Sequence, residues 1–144
     1  MAILNTSAAV GFGAVIAVVP AFDSITNWLL GISDNPLVAQ AVSVQVMAII
    51  TGSASGGMGI ALSTLGDTFA SLSQSTGISA EVFHRIASVA SGASIFPNNG
   101  ALLTLLAVTG LTHRETYKDV FMVAFLIPTI ALIVGVIMGA IGLI

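Results

Sequence analysis

The sequence predicts an all-α polytopic membrane protein with a re-entrant helical hairpin and a broken transmembrane helix, and three observations carry that expectation. Hydrophobic residues form 56% of the 144-residue chain and charged residues only 6%, with a mean hydropathy of +1.09; soluble domains carry about 25% charge. The stretch TGSASGGMGIAL interrupts one apolar run with small residues, and ASGASIFPNNG interrupts another with Ser, Gly, Pro and Asn. In hydrocarbon every N–H and C=O needs a partner, so non-helical backbone at membrane depth survives only when buried in protein or lining a wet cavity. Two such breaks in two hydrophobic segments are the sequence pointer to a transporter binding site.

The residue content also excludes classes. There is no cysteine, and the two histidines are not neighbours, so neither a disulfide framework nor a metal cluster is expected and no cofactor is called for. Three Lys and Arg residues cannot form a nucleic-acid footprint. The start Met1, Ala2, Ile3, Leu4 has no basic n-region, so the first apolar run does not read as a signal peptide. The polar Asn5, Thr6 and Ser7 that follow suggest that the chain is the C-terminal part of a longer permease.

In order, residues 8–31 read as a membrane helix, or the second limb of a hairpin tipped at Asn5, Thr6 and Ser7, followed by an interfacial helix. Ser7, Gly11, Gly13 and Ala14 put small residues about one turn apart, which allows close helix contact. Pro20 and Asp23 are expected to end that helix, and Ser24 to Ile32, with Trp28, to lie at the headgroup level. Residues 36–75 read as the re-entrant hairpin. Pro36 follows Asp34 and Asn35 as a helix start, and Gln40, Ser43 and Thr51, with Met47 between them, fall near one face that should look into the protein. After the break at Gly52 to Gly59, a second limb carries Gly59, Ser63, Gly66 and Ala70 as a small-residue stripe. Each limb is read as too short to cross roughly 30 Å alone, with Ser71 to Ser79 as a polar turn.

Residues 80–111 read as one broken helix. Glu81, Arg85, Ser88 and Gly92 share a face joined by His84 and Ser91, while Val82, Ile86 and Val89 face away. Beyond the break, Gly100, Thr104 and Ala107 form a small face opposite Leu102, Leu105 and Leu106. Leu111 to Asp119 reads as a loop holding two of the three basic residues and is expected to be cytoplasmic. Residues 118–144 read as the last transmembrane helix, with Gly135 and Gly139 as a packing signal. That topology puts Asp34, Asp67 and Glu81 on the outer side.

The chemistry follows from the breaks. A half-helix that begins at mid-membrane exposes unpaired N–H groups and a positive dipole end, which suits a carboxylate. Ser53, Ser55, Gly56 and Gly57 at the first tip, with Ser94, Asn98, Asn99 and Gly100 at the second, supply hydroxyl, amide and backbone donors and are the expected substrate contacts. Asn and Ser also accept hydrogen bonds from a substrate hydroxyl, so a hydroxy-carboxylate fits the mixture. Asn98 and Asn99 have a plainer use as caps of the second half-helix, and Gly and Ser a plainer use in kinks and close packing. Proton coupling needs an ionisable group within the membrane; Asp67, Glu81 and His84, with Arg85 beside them, are nearest, although interfacial solvation or a Glu81–Arg85 pair also accounts for them.

Two other classes compete. Ser53, Ala54, Ser55, Gly56 is one residue away from the Gly-x-Ser-Gly of intramembrane serine proteases, which pair a buried Ser with a His, but a Ser stands in place of the first Gly. A membrane scaffold or small pore subunit explains glycine-rich helices but not paired donor-rich tips.

Taken together, NTSAAVGFGAVIAVVPAFDSI, TGSASGGMGIAL and IASVASGASIFPNNGALLTLLAVTGLTHRETYKDVF resemble the C-terminal part of the gluconate permease family of the ion transporter superfamily, and its D-β-hydroxybutyrate permease branch most. The resemblance covers nearly the whole chain, and the run from Pro97 through Asp119 is its most specific part. It implies a bacterial inner-membrane symporter, not an enzyme, that takes up a small hydroxy- or sugar-acid anion with protons, sodium being the alternative coupling ion. It also implies two inverted repeats meeting tip to tip around the substrate by alternating access, of which this chain is the C-terminal one. The partners it implies are therefore the organic anion, the proton, the lipid bilayer and the missing N-terminal repeat, with a homo-oligomer left open. Members of that family often carry a His before the Asn-Gly where Asn98 stands here, so this loop lacks that titratable group.

Overall fold

The structure, a computed structural model, describes residues 18–144 together with residues 11 and 15, and every regular element among them is helical. The membrane helix expected from residue 8 lies outside the described residues. Helix α1 (Pro20–Leu30) begins where the sequence suggested an end. Proline fits the first helical turn because its fixed φ is helical and its missing N–H would be unpaired there anyway.

Helices α2 (Pro36–Thr51) and α3 (Ala54–Thr76) form a hairpin with only Gly52 and Ser53 between them. Asn35 caps α2 by accepting the Leu37 N–H at 2.9 Å. Gly52 ends α2 at φ +64°, a left-handed conformation open to glycine at little cost, and Ser53 starts α3 by accepting the Gly56 N–H at 3.1 Å. The limbs touch backbone to backbone at Gly57, where a Cβ would run into the Cα and N of Ala48.

The second limb corrects an expectation. It runs for 23 residues, about 34 Å at helical rise, so it is not too short to cross a bilayer. The hydroxyls of Ser71, Ser75 and Thr76 donate to the carbonyls of Asp67, Leu72 and Leu72. These polar residues thus satisfy themselves on the helix instead of opening a turn, which comes only at Gly77 (φ +73°).

Helix α4 (Ala80–Gly92) is capped by Ser79 and followed by the non-helical residues 93–99 and then α5 (Gly100–Thr109). Helix α6 (His113–Phe121), a π turn (Met122–Leu126) and α7 (Ile127–Ala140) make one continuous run. Its start at His113 replaces the loop expected there. A capping box is the cause: Glu115 accepts the Thr112 N–H at 2.9 Å and hydroxyl at 2.6 Å, closing the amino end. This 28-residue run is the one helix among the described residues long and apolar enough to cross a membrane.

Helix α2 lies at the centre of the core. Its Leu37, Val44 and Met47 are buried with Leu29 of α1, Ile60, Leu65 and Phe69 of α3, Val82, Phe83 and Ile86 of α4, and Leu132 of α7. The face of Gln40, Ser43 and Met47 does look into the protein. Helix α7 seats on α4 and α2 through Gly139, where a Cβ would come within 2.8 Å of Val82 Cγ1 and 3.0 Å of Leu37 Cδ1. Its other side presents Ile127, Ile130, Ile133, Val134 and Ile137 outward, the surface a spanning helix shows to lipid.

Gly57→Ala is expected to push α2 and α3 apart and lower the melting temperature in detergent, at a cost of about 1–3 kcal/mol. Gly59→Ala, whose Cβ meets nothing within 4 Å, should be neutral or stabilising by up to about 1 kcal/mol. Equal melting temperatures for the two variants would contradict the close crossing.

Candidate functional site

The two breaks meet. The Gly100 N–H donates to the Gly52 carbonyl at 2.9 Å, and Asn98 Nδ2 donates to the Ile49 carbonyl at 2.9 Å. The approach is close enough that a Cβ on Gly52 would lie 2.5 Å from the Asn98 carbonyl oxygen. The hairpin tip and the broken-helix loop therefore share main-chain bonds, and the start of α5 is docked on the end of α2.

The two amino ends at this junction differ. At α5 all four leading amides are occupied: Gly100 by the Gly52 carbonyl, Ala101 and Leu102 by Asn99 Oδ1, and Leu103 by the Asn99 carbonyl. At α3 the Gly56 and Gly57 amides are held by Ser53, but among the described residues nothing accepts from the Ala54 or Ser55 amides. Nor does the Ser55 hydroxyl, which is exposed, bond to any described residue. The amino end of α3 thus keeps two amides without an acceptor among the described residues, and that of α5 keeps none.

The expected substrate contacts divide accordingly. Ser55 is exposed, Ser53 and Gly56 are half-buried, and Gly57 is buried in the limb crossing. Asn98 is exposed, whereas Asn99 is 2% exposed and serves as the α5 cap. Ser94 is fully buried and donates to the Ser91 carbonyl at 2.6 Å; its hydroxyl closes the end of α4 and does not face the tip. Asp67, Glu81 and His84 are exposed, and Arg85 Nη2 lies 3.4 Å from Glu81 Oε2. Asp67 is 12 residues along α3 from Ser55, about 18 Å, and Glu81 and His84 stand in the first turns of α4, at its far end from the break. Ser55 has no histidine partner among the described residues, because His113 is bonded to Pro97 and His84 lies beside Glu81 and Arg85.

Sequence reasoning missed the groups that hold the break. Gln45 Nε2 donates to the Ala93 carbonyl at 2.7 Å and to Thr129 Oγ1 at 3.1 Å, so one amide joins α2, the end of α4 and α7. A half-helix that stops inside the protein leaves carbonyls unpaired, and Gln45 fills one of them. Along α6 and the π turn, His113, Tyr117, Phe121 and Phe125 follow one another at i, i+4 spacing with centroids 6.5, 5.9 and 4.9 Å apart, the first two pairs tilted and the last stacked, and Phe125 meets Phe96 edge to face at 5.0 Å. His113 Nε2 donates to the Pro97 carbonyl at 3.1 Å. Helix α5 rises about 15 Å, yet the chain beyond it returns far enough for His113 to reach the residue before Asn98. A second Gln five residues after Gln40 in a largely apolar helix was the available signal for Gln45; the aromatic spacing was the signal for the ladder.

The described elements are all helical, one of them is long and apolar enough to cross a membrane, and two helix breaks are apposed, features that suit a membrane transport protein. The chain is similar to a Bacillus subtilis (strain 168) protein named as an uncharacterized transporter, YxjC, with 46% identity over 127 residues. That match takes in 88% of this chain, which spans about a quarter (27%) of the relative's length. No protein-family model and no solved structure matches the chain.

Gln45→Leu is expected to leave the Ala93 carbonyl unpaired and cost about 1–3 kcal/mol in detergent unfolding. In a double-mutant cycle with Thr129→Val the two changes should couple by at least about 0.5 kcal/mol. Strict additivity would show that the three-way bond does not form.

Proposed function

We propose that the chain forms one half of the substrate site of a secondary active transporter, a proton symporter for a small hydroxy-carboxylate or sugar-acid anion such as hydroxybutyrate or gluconate. The observation that carries this reading is the junction of the two breaks, with the open amino end of α3 beside it. The free amides of Ala54 and Ser55, the Ser55 hydroxyl and the positive dipole end of a 23-residue helix form an acceptor-seeking surface without a fixed charge. A carboxylate supplies the acceptors, and the Asn98 amide oxygen is available to a substrate hydroxyl.

The relative's name supports transport, and the residues quoted for the gluconate permease resemblance support the anion class. The membrane in question is then a bacterial inner membrane crossed several times. The longer chain would supply the opposing half of the site and cover the exposed polar faces that carry Asp67, Glu81 and His84, the candidates for proton handling. Alternating access would be a movement of the docked tips relative to that opposing half.

Uptake by the full-length protein in proteoliposomes, comparing hydroxybutyrate with gluconate under imposed pH or sodium gradients, tests the reading. A neutral hydrogen bond is worth about 0.5–1.5 kcal/mol, so Ser55→Ala should reduce uptake about two- to ten-fold and Asn98→Ala by a similar factor. Complete loss of a hydrolytic activity on Ser55→Ala, with no carboxylate uptake by the unaltered protein, would replace the carrier by an enzyme.

A further inference from the structure

Between α6 and the break lies an open cleft of about 520 Å³ lined by Pro97, His113, Arg114, Tyr117 and Lys118. It gathers two of the three Lys and Arg residues in the chain. The third, Arg85, has Glu81 as its partner; among the described residues neither Arg114 nor Lys118 forms an ion pair. The nearest acid in sequence, Glu115, is turned to the Thr112 amide and hydroxyl, and neither it nor Asp119 lines the cleft. The cleft therefore carries two positive charges with no opposing carboxylate at its wall.

Its position matters as much as its charge. The His113 imidazole uses its Nε2–H on the Pro97 carbonyl, and the next residue, Asn98, is bonded to the hairpin at Ile49. The cleft wall, at Pro97, and the junction of the tips, at Asn98, are consecutive residues. Arg114 and Lys118 stand at i and i+4 on α6, so both side chains serve one face, and Tyr117 on the same wall adds a phenolic donor. A guanidinium fork and an ammonium match a carboxylate, and a phenol matches an adjacent hydroxyl.

We propose that this cleft is an anion-binding vestibule, in which Arg114 and Lys118 hold the carboxylate of a small hydroxy acid before or after it occupies the α3 end. The inference rests on the transport reading above and deepens it by assigning a second, charged subsite on the path. The recognised chemistry is an oxyanion. The transported carboxylate and the phosphate of an anionic lipid headgroup both carry it, and the proposal commits to the carboxylate.

The test uses the full-length protein with gluconate and hydroxybutyrate as probes, reading uptake in liposomes and equilibrium binding by calorimetry in detergent. Loss of a charge-assisted hydrogen bond is expected to raise KM and Kd at least about ten-fold in R114Q/K118Q, with maximal velocity changed far less. The charge-conserving R114K/K118R should recover most of that loss, and the single variants R114Q and K118Q should fall between, which separates a charge effect from misfolding. Added salt should raise KM in the unaltered protein more than in the double variant. The comparison is repeated in phosphatidylcholine vesicles with and without phosphatidylglycerol. A difference in KM that persists without the anionic lipid supports the carboxylate, and one that disappears overturns it in favour of the headgroup. An unchanged KM and Kd in R114Q/K118Q, with the unaltered protein transporting normally, would sink the vestibule alone. Absence of carboxylate uptake in the unaltered protein would sink the transport reading, and binding that still depended on Arg114 and Lys118 would leave the subsite standing.

Discussion

Pairing of main-chain polar groups where the helices stop is the constraint on which this structure depends. An unpaired buried carbonyl or amide costs about 1–3 kcal/mol, a large share of the stability of a domain. Each interruption here is answered by another element. The Gly52 carbonyl takes the Gly100 amide, the Ile49 carbonyl takes Asn98, the Ala93 carbonyl takes Gln45, and the Pro97 carbonyl takes His113. The first three of these bonds tie the hairpin to the broken helix, and the fourth ties the break to α6.

The same pairing makes the junction asymmetric. Of the leading α5 amides, three are held by Asn99 from within the cap, and only the Gly100 amide depends on another element, through the Gly52 carbonyl. At α3 the pairing is different in kind: Ser53 holds the Gly56 and Gly57 amides from within the hairpin, and no other element contributes a bond there among the described residues. The bond that docks the two tips is thus the Gly100 to Gly52 contact, with the Asn98 amide on the Ile49 carbonyl beside it. Glycine at 52 is what permits the approach: its φ of +64° and the space its missing Cβ leaves for the Asn98 carbonyl are both required.

Both breaks were legible in the sequence because Gly, Ser, Pro and Asn interrupt hydrophobic periodicity locally, although the first, expected over Gly52 to Gly59, narrows to Gly52 and Ser53 because the Ser53 cap starts α3 at Ala54. The helix limits were less so. Ser71, Ser75 and Thr76 look like turn residues, but their hydroxyls bond back along α3, an option that residue type alone does not distinguish from a turn. His113 to Asp119 looks like a charged loop, yet the Thr112 and Glu115 capping box makes it helix. Within the site, Ser55 and Asn98 are exposed where donors were expected, while Ser94 and Asn99 are spent on closing helix ends. The supports were illegible for a different reason: Gln45 reaches Ala93 across 48 residues and Thr129 across 84, and no local pattern records a pairing at that distance.

The π turn explains how one helix can serve two of those supports. Pro128 has no N–H, and in a regular helix its ring would press on the carbonyl of Ala124. The chain widens before it instead, with the Ile127 amide reaching the Met122 carbonyl five residues back. Widened turns of this kind shift the phase of the residues beyond them. Phe125, inside the turn, packs on Phe96, and Thr129, just past it, meets the Gln45 amide that holds Ala93. The start of the break, at Ala93, and its middle, at Phe96, are therefore both supported from this one stretch of helix, Phe96 directly and Ala93 through Gln45.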